Sequence, residues 1–504
     1  MKVKTDHKKS LATLLLSAAR NNPSGIAWEK GDEKYSYEAL FGYALNISAR
    51  INATAGKDHH LIPVVADKSY FCYAAIAGIV LAGRGYVPLN PAFPLSRNLE
   101  ILKLVGGKYF LSGKKSSKYT AGFISAGYER LVTEGGTNND LFDPAEAGSS
   151  GERTLYLLFT SGSTGKPKGV PVSENNLLAY LGNIRELIET GPGDRCSQVF
   201  DLTFDLSVHD LFVTWSSGAT LIVPEEGSPL FFHKFLKKKK ITQWFTVPST
   251  IYLLDKMRLL KGGVYPDLKI SLFCGEALPA ALAGKWMKAA PVSGMVNLYG
   301  PTEATIAVSY YDLRADDRVE EKNGIVSIGR IFRGHEAKIL GQKMSGKGEL
   351  LVHGPQVVKG YYDDREQSAS AFTEIDDRLF YKTGDIVERN EDGNMFFLGR
   401  KDQEIKLHGY RINLLEVEHC ISDSLGGNKA VAVLHSSGPA GKIICFVSGR
   451  EQKKGFEAEI LQYCRQRLPW YMVPEKVIFV KDFPLNPNGK VDRQKLVNLI
   501  DEKN

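Results

Sequence analysis

The residues best suited to chemistry lie in one stretch, residues 160–169, which reads TSGSTGKPKG. Its glycines let backbone N–H groups approach an anion closely, its hydroxyls add hydrogen-bond donors, and its lysines add positive charge. This composition predicts a loop that holds a polyphosphate. It is not a Walker A loop, because Thr160 stands where that motif requires a glycine. A flexible surface loop rich in serine and glycine is the alternative that the stretch alone leaves open.

Four further motifs place polar side chains beside turns, in a fixed order along the chain. They read NLYGPTE at 297–303, YKTGD at 381–385, GRKD at 399–402 and PNGKVDR at 487–493. The first motif supplies an aromatic face, a hydroxyl and a carboxylate. The others supply a second carboxylate, a guanidinium and a lysine, in that order.

Apolar patterns predict the elements that position these motifs. The run LYLLF at 155–159 indicates a buried strand, and the residues from Asn175 onward have helical spacing. The phosphate-loop candidate is therefore expected to join a strand to a helix. Strands and helices alternate from 151 to about 400, which is typical of an α/β fold.

The composition changes twice towards the C-terminus. Short strands separated by glycine turns predict a barrel-like β subdomain at about 325–400. After a polar joint at 401–403, the patterns predict a compact α+β module. We therefore expect an α/β protein with an N-terminal domain of α/β subdomains at 1–401 and a small C-terminal domain at 402–504.

Composition places the chain among soluble globular proteins. It has 504 residues, of which 43% are hydrophobic and 24% charged. No apolar run approaches the ~20 residues that a membrane-spanning helix needs. The N-terminal run LATLLLSAA has helical spacing and is followed at once by Arg20, so we expect an amphipathic helix there, with a signal peptide as the alternative.

Cysteine and histidine spacing argue against a disulfide framework and a structural metal. The six cysteines form no CxxC pair and lie mostly in apolar runs, which predicts free buried thiols in a reducing cytoplasm. The ten histidines show no metal-binding spacing. The net charge of +7, with four lysines at 237–240, suggests a face for an acidic partner; no nucleic-acid motif accompanies it.

The ordered set of motifs resembles the adenylate-forming enzyme superfamily, which includes acyl-CoA synthetases, luciferases and the adenylation domains of nonribosomal peptide synthetases. The resemblance runs from YSYEAL at 35–40 to Lys490. It implies two half-reactions. A carboxylate attacks the α-phosphate of MgATP and releases pyrophosphate, and the acyl group then passes from the adenylate to a thiol.

The resemblance also implies roles for single residues. Tyr299 would stack on adenine, Thr302 would bond the α-phosphate, Glu303 would bind Mg²⁺ and Asp385 would accept the ribose hydroxyls, with Arg400 beside the ribose. The ATP site it implies comprises Thr160, Ser161, Gly162, Ser163, Thr164, Gly165, Lys168, Gly275, Glu276, Asn297, Tyr299, Gly300, Asp385, Arg400 and Lys490.

Lys490 is the catalytic residue that the resemblance marks most clearly. A cation between carboxylate and phosphate offsets the charge that builds during attack. The C-terminal module that carries it would rotate between the two steps about a hinge at Asp402. Gly409 would then line the tunnel for the thiol arm.

The stretch FDLSVHD at 204–210 distinguishes the branches of the superfamily. Members that activate amino acids carry an aspartate at the position of Asp205, which pairs with the substrate ammonium. Capping of a helix is the structural alternative for Asp205. The amino-acid pocket that the resemblance implies comprises Asp205, Leu206, His209, Thr246, Leu272, Cys274, Leu298, Ile306 and Ala307.

Several stretches are most similar to D-alanine-activating members, including LFCGE at 272–276 and IKLHGYR at 405–411. Cys274 would crowd the substrate α-carbon there. His209 and Leu298 depart from that pattern, since those members have an apolar and a smaller residue at these positions. The chain is therefore expected to load an amino acid, D-alanine first, onto the phosphopantetheine thiol of a separate carrier protein.

Three alternatives stay open. A stand-alone enzyme for another amino acid would share every motif. An acyl- or aryl-CoA ligase would not depend on Asp205. A non-catalytic binding protein would bind ATP without turnover, although the motif residues Glu303, Asp385, Arg400 and Lys490 argue against it.

Overall fold

The computed structural model describes residues 10–56, 59–113, 117–131, 151–162, 167–225, 229–313, 319–342, 346–425, 429–435, 441–448, 455–485 and 491–501. The described chain is mixed α/β, which confirms the expected fold class. It divides into two compact units. Unit 1 comprises Met1–Pro91, Val105–Leu158 and Gly169–Gly399, and unit 2 comprises Ala92–Leu104, Phe159–Lys168 and Arg400–Asn504.

Helices occur in both units. In chain order they are α1 Leu11–Asn21, α2 Tyr37–Thr54, α3 Tyr70–Leu81, α4 Leu95–Val105, α5 Ser117–Ser125, α6 Glu174–Leu187, α7 Asp205–Ser216, α8 Pro229–Lys238, α9 Pro248–Lys256, α10 Ala280–Ala289, α11 Arg365–Ala371, α12 Leu414–Ser424, α13 Phe456–Arg465 and α14 Arg493–Asp501. Short 3₁₀ helices cover Thr302–Ala304 and Trp470–Met472.

Most strands are short. In chain order they are β1 Ile26–Lys30, β2 Glu33–Ser36, β3 Leu61–Val65, β4 Gly85–Leu89, β5 Tyr109–Leu111, β6 Glu129–Leu131, β7 Thr154–Thr160, β8 Lys168–Ser173, β9 Arg195–Ser197, β10 Thr220–Val223, β11 Gln243–Thr246, β12 Ile270–Phe273, β13 Gly294–Tyr299, β14 Ser309–Asp312, β15 Glu321–Lys322, β16 Ile325–Val326, β17 Arg330–Ile331, β18 Glu336–Gln342, β19 Lys347–His353, β20 Phe372–Ile375, β21 Arg378–Arg389, β22 Met395–Arg400, β23 Glu404–Leu407, β24 Tyr410–Asn413, β25 Ala430–His435, β26 Lys442–Ser448 and β27 Lys476–Val480.

Two large sheets organise unit 1. The nine-stranded sheet has the order β17-β14-β13-β12-β11-β9-β10-β1-β2, and the run from β13 to β1 is parallel. The six-stranded sheet has the order β6-β5-β3-β4-β7-β8. Helices that connect parallel strands cover the faces of such sheets, so their strands are buried on both sides and apolar throughout.

A smaller antiparallel sheet follows. It has five strands, in the order β18-β19-β21-β20 with β22 on β21. Composition suggests this part from about 325, but the sheet itself begins at Glu336. The residues before it pair elsewhere, because β16 pairs with β15 and β17 extends the edge of the nine-stranded sheet.

Unit 2 has its own sheet and core. Strands β25, β26 and β27 form a three-stranded sheet, and β23 and β24 form an antiparallel pair. Side chains from α12, α13 and this sheet, including Val417, Cys445 and Cys464, make up one buried cluster. A second cluster joins the sheet to α14 through Phe446 and Leu496.

The expectation for the polyphosphate loop needs one correction. The next element after residues 160–167 is a strand, β8, and helix α6 begins only at Glu174. The stretch KGVPVS forms that strand because Val170 and Val172 alternate along it and are both fully buried. The loop therefore joins two neighbouring strands, and no helix N-terminus follows it directly.

Local sequence accounts for several helices. Ser10 caps α1, which buries Leu11 and Leu15 and leaves Arg20 exposed, as the amphipathic spacing predicts. Helix α3 is apolar all round and almost wholly buried. It packs closely on α2 at Gly78, where a Cβ atom would lie 2.7 Å from the carbonyl oxygen of Ala44.

Two global expectations can be compared with the structure. All six cysteines are buried and free, as predicted. In the described part of the chain, no helix is at once long enough and apolar enough to cross a bilayer.

Candidate active site

Three neighbouring parallel strands end among the predicted pocket residues. Thr246 ends β11, Cys274 directly follows β12, and Leu298 precedes the last residue of β13. The strands pair in order, with Thr246 opposite Phe273 and Phe273 opposite Asn297. Ligands of open parallel sheets bind outside this carboxyl edge. The predicted pocket residues are all buried, and they are Asp205, Leu206, His209, Thr246, Leu272, Cys274, Leu298, Ile306 and Ala307.

Asp205 is the first residue of α7 and is only 8% exposed. The N-cap position belongs to Phe204, whose side chain makes no capping bond. Asp205 is therefore not the cap that the structural alternative requires. A carboxylate in the first turn of a helix interacts favourably with the helix dipole.

Tyr180, on α6, lies among the pocket residues although the sequence analysis did not select it. Its hydroxyl is 2.7 Å from Nδ1 of His209. Burial, followed by the charges of Cys274, Asp210 and Asp205, raises the pKa of Tyr180 well above its ordinary value. This neutral phenol therefore lies within electrostatic range of both α7 and the residue after β12.

His209 is a neutral residue of the pocket wall. Burial lowers its pKa to about 3, and its ring lies 4.6 Å from that of Phe245, centroid to centroid. The imidazole is thus uncharged at neutral pH and offers hydrogen bonds rather than a charge.

His209 also lines a small cavity of about 10 Å³. Among the described residues, Oδ2 of Asp210, Oγ of Ser197 and Oγ1 of Thr214 are buried there without a hydrogen-bond partner. A single water molecule fits a space of this size and would satisfy these groups. The cavity is thus a place for an ordered water.

The pKa of His209 predicts a pH-dependent stability that a neutral substitution removes. The unfolded chain binds a proton at this residue below about pH 6.5, whereas the folded chain does so only near pH 3. Stability is therefore present above pH 6.5 and is lost as the pH falls towards 3, by up to about 1.4 kcal/mol per pH unit. Between pH 6.5 and 4.5, we expect the urea midpoint of the native protein to fall more steeply than that of His209→Gln. Parallel pH profiles would contradict a buried neutral imidazole.

The predicted pocket residue Ile306 lies in a strained turn after the short 3₁₀ helix Thr302–Ala304. Thr305 and Ile306 both adopt left-handed conformations, with φ of 55° and 73°. The sulfur of Cys274 lies 4.0 Å from the carbonyl oxygen of Ile306. The turn folds back on Gly300, where a Cβ atom would lie 2.5 Å from Cα of Ala307, so only glycine allows this approach.

Glu303 is fully buried, and its Oε1 accepts a hydrogen bond of 2.8 Å from the hydroxyl of Tyr361. The backbone amide of Val358 donates to the carbonyl oxygen of Glu303. Tyr361 is a second residue that the sequence analysis missed. No spacing rule could reveal it, because 58 positions separate it from Glu303 along the chain.

The proposed nucleoside-binding residues pair with one another at the end of β13. The hydroxyl of Tyr299 donates to Oδ2 of Asp385, and both side chains are buried. The amide of Asn297 donates to the carbonyl oxygen of Ser327, while its Oδ1 is buried with no partner among the described residues. This oxygen is an acceptor that a ligand N–H group can satisfy.

Gly275 and Glu276 follow Cys274 in the turn after β12. Gly275 is left-handed, with φ of 85°. A carboxylate oxygen of Glu276 accepts a 2.7 Å bond from the backbone amide of Ser249, near the start of α9. This bond fixes the turn to α9.

Several residues proposed to bind phosphate or ribose belong to unit 2. The hydroxyl of Ser161 bonds the carbonyl oxygen of Arg411 and the amide of Asn413, both at 2.9 Å. Nζ of Lys168 lies 3.9 Å from Oε1 of Glu404. Oγ1 of Thr160 is buried without a partner among the described residues. Ser161 is thus engaged within the protein in this arrangement.

Arg400 and the expected hinge residue form a pair. Arg400 donates two bonds to the carboxylate of Asp402 and a third to Glu404. Although burial opposes it, the bonds from Arg400 hold the pKa of Asp402 below its ordinary value. Gly409, the predicted tunnel residue, adopts a φ of 81° between β23 and β24. Four predicted residues lie outside the described residues, namely Ser163, Thr164, Gly165 and Lys490.

Comparison with known proteins yields two family models and many relatives. Residues 15–362 match the AMP-binding enzyme model, and residues 416–490 match the AMP-binding enzyme C-terminal domain model. The D-alanine–D-alanyl carrier protein ligase of Bacillus licheniformis is 30% identical over 95% of this chain and 97% of its own length.

Solved structures agree with this relationship. The Vibrio cholerae adenylation domain AlmE, in complex with glycyl-adenosine-5'-phosphate, superposes with a TM-score of 0.89 at 28% identity and covers 100% of this chain and 99% of its own. An NRPS protein containing adenylation and PCP domains superposes with a TM-score of 0.81 at 20% identity, covering 98% of this chain and 85% of its own, which is a likeness of fold.

Proposed function

Because this chain belongs to the AMP-binding enzyme family, we propose that it is an AMP-forming ligase that activates D-alanine and transfers it to a carrier protein. The relative from Bacillus licheniformis, which is similar over nearly its whole length, is named for that activity. In the first step the substrate carboxylate attacks the α-phosphate of ATP, and pyrophosphate leaves. In the second step the phosphopantetheine thiol of the carrier displaces AMP and takes the D-alanyl group as a thioester.

The observation that carries the amino-acid part of the proposal is the buried carboxylate of Asp205. It opens α7, is not the helix cap, and lies within electrostatic range of Tyr180, as Cys274 does. A buried carboxylate of this kind gains most from a cation that arrives with the ligand. The ammonium group of an amino acid is such a cation, whereas fatty and aryl acids lack one.

The other residues fit the parts of a small substrate and a nucleotide. Cys274, Leu298 and Ile306 are buried, and we expect them to surround the substrate α-carbon, which favours a short side chain. Asn297 offers an acceptor for an adenine N–H group, and Tyr299 orients Asp385 for the ribose hydroxyls. The loop at 160–169 contributes donors and lysines for the phosphates.

Glu303 is the residue that we propose to hold Mg²⁺ beside the phosphates. Among the described residues, no three histidine, cysteine, aspartate or glutamate side chains form a metal-binding group. Mg²⁺ suits such a site, because it commonly binds one or two carboxylates together with substrate phosphates. When bound, the ion supplies charge that offsets the phosphates, and the bond from Tyr361 orients the Glu303 carboxylate.

We place the reaction in the cytoplasm, since the six free buried thiols suit a reducing compartment. The carrier protein is the expected macromolecular partner. An acidic carrier would complement the net charge of +7.

Glycine is the second candidate substrate. The AlmE adenylation domain, with its TM-score of 0.89, was solved with glycyl-adenosine-5'-phosphate. The buried walls at Cys274 and Leu298 suit glycine at least as well as D-alanine. The two candidates differ by a single methyl group, which a pocket discriminates by only about 10–200-fold.

Amino-acid-dependent pyrophosphate exchange tests the proposal directly. The purified protein with Mg²⁺ is offered both hands of the common amino acids, glycine, and a panel of acids without an amine. We expect the highest kcat/KM for D-alanine, glycine next, and loss of exchange when EDTA removes the metal. Free pantetheine and CoA then serve as thiol probes of the second step. Exchange with amine-free acids alone, followed by transfer to CoA, would overturn the proposal in favour of a CoA ligase.

A further inference from the structure

Gln356 lies behind the strained turn of the amino-acid pocket and has no solvent exposure. Its side-chain Nε2 donates to the carbonyl oxygens of Ala304, Thr305 and Ala307, at 3.3, 3.2 and 2.6 Å. Its Oε1 accepts a bond of 3.0 Å from Nδ2 of Asn183, on α6. One side-chain amide thus binds three backbone carbonyl oxygens of the turn inside the protein.

The backbone of Gln356 completes the arrangement. Its carbonyl oxygen accepts a 2.6 Å bond from the hydroxyl of Thr305, and its amide donates to Nε2 of His335 at 3.2 Å. Both Thr305 and Ile306 carry positive φ angles, which are strained for β-branched residues. Such a conformation persists only where its surroundings enforce it, and Gln356 provides the contacts that do so.

The segment around Gln356 is itself fixed to the rest of unit 1. The side chain of Asn176, on α6, donates to the carbonyl oxygen of Pro355 at 2.7 Å. The amide of Val358 donates to the carbonyl oxygen of Glu303 at 2.9 Å. Residues 355–358 therefore connect α6 to the turn, and the turn reaches Cys274 through the carbonyl of Ile306.

We propose that Gln356 is a positioning residue that sets the depth of the amino-acid pocket by holding the Thr305–Ile306 turn in its left-handed form. This inference rests on the proposed function, because it assigns the turn to the wall that meets the substrate side chain. Without the Gln356 amide, the three carbonyls lose their shared donor and the turn relaxes. Ile306 then no longer limits the pocket, and larger amino acids are admitted.

The test uses two substitutions that keep the side-chain length. Gln356→Met removes the donor and the acceptor without adding a charge, and Gln356→Glu keeps an acceptor for Asn183 while replacing the two N–H donors of the amide by at most the single O–H of a protonated carboxyl. In both variants we expect the amino-acid KM to rise about tenfold, and the kcat/KM preference for the small substrate over serine and valine to fall about tenfold. The KM for ATP should change less than twofold, whereas a general loss of structure would change the KM for ATP as well.

Gln198→Glu is the matched control. Gln198 is equally unexposed, and its amide bonds the carbonyl oxygen of Phe200, outside the Ile306 turn. This variant should lose thermal stability yet keep the native order of amino-acid preference. It therefore separates the cost of disturbing a buried amide from the effect on the pocket.

Each outcome decides between the two claims. If the native protein shows no amino-acid-dependent exchange, the proposed function fails before Gln356 is reached. If the native protein is active and either folded variant keeps the native preference and KM, the inference about Gln356 is overturned. If neither variant shows a cooperative thermal transition, Gln356 serves the fold as a whole, and the positioning role is also overturned.

Discussion

Asp205→Asn is expected to reduce amino-acid-dependent pyrophosphate exchange about 100- to 1,000-fold. The substitution keeps the shape of the side chain and removes only the charge that would pair with the substrate ammonium. Leaving one member of a buried charge pair without its partner costs about 2–5 kcal/mol. At about 1.4 kcal/mol per tenfold change, the expected 100- to 1,000-fold loss in kcat/KM for the amino acid is about 2.8–4.2 kcal/mol, which lies within that range.

Asp194→Asn provides the control for this experiment. Asp194 is as buried as Asp205, at 8% exposure, but it bonds Thr242 and Lys269. It is a structural residue, so its substitution should lower thermal stability and leave the exchange rate nearly unchanged. Native exchange by a folded Asp205→Asn protein would refute the ammonium role and favour an acid without an amine as substrate.

Lys490→Ala is expected to separate the two half-reactions. Adenylate formation should fall about 100- to 1,000-fold, because the variant loses a cation that stabilises charge at the α-phosphate. Thiol transfer from preformed D-alanyl-adenylate to pantetheine should be largely kept, since that step needs no cation there. Single-turnover measurements with ATP, and then with the synthetic adenylate, check the two steps in turn.

Lys495→Ala is the companion variant. Lys495 is a solvent-exposed lysine on α14, a few positions after Lys490, and its ion pair with Asp492 is long at 3.7 Å. Both half-reactions should stay at native rates in this variant. Equal loss of both steps in Lys490→Ala would contradict a lysine that serves adenylation alone.

Local patterns predicted the individual elements that are encoded over short distances. The buried strand expected at 155–159 lies within β7, and the amphipathic helix expected at the N-terminus is α1, with its buried face. The polyphosphate loop shows where this reasoning stops. Strand β8 has six residues and only two fully buried valines, and it lies between a glycine-rich stretch and a clear helical pattern, so its own pattern is too weak to predict a strand.

Side-chain partnerships were harder to predict than elements. Motifs selected Glu303, Asp385 and His209, and each of these side chains has a hydrogen-bond partner in the structure. No motif selected the partners of Glu303 and His209, and no motif paired Asp385 with its partner. Tyr361 bonds Glu303 and Tyr180 bonds His209 because the fold brings distant strands and helices together. Gln356 was overlooked for the same reason, since a buried amide has no periodicity of its own. Motifs therefore select candidate ligand-binding groups better than the groups that hold those side chains in place.

The burial of all six thiols limits how the acyl group can travel. Burial raises the pKa of Cys72 and Cys445 well above the ordinary value and that of Cys196 to about 12, so these sulfurs stay protonated and unreactive. All six cysteines lie in the described part of the chain, and none of them offers an exposed thiol that could carry the activated acid as an enzyme-bound intermediate. We therefore expect the acyl group to pass directly from the adenylate to the incoming sulfur of the carrier, with the activated molecule held in place until that sulfur arrives.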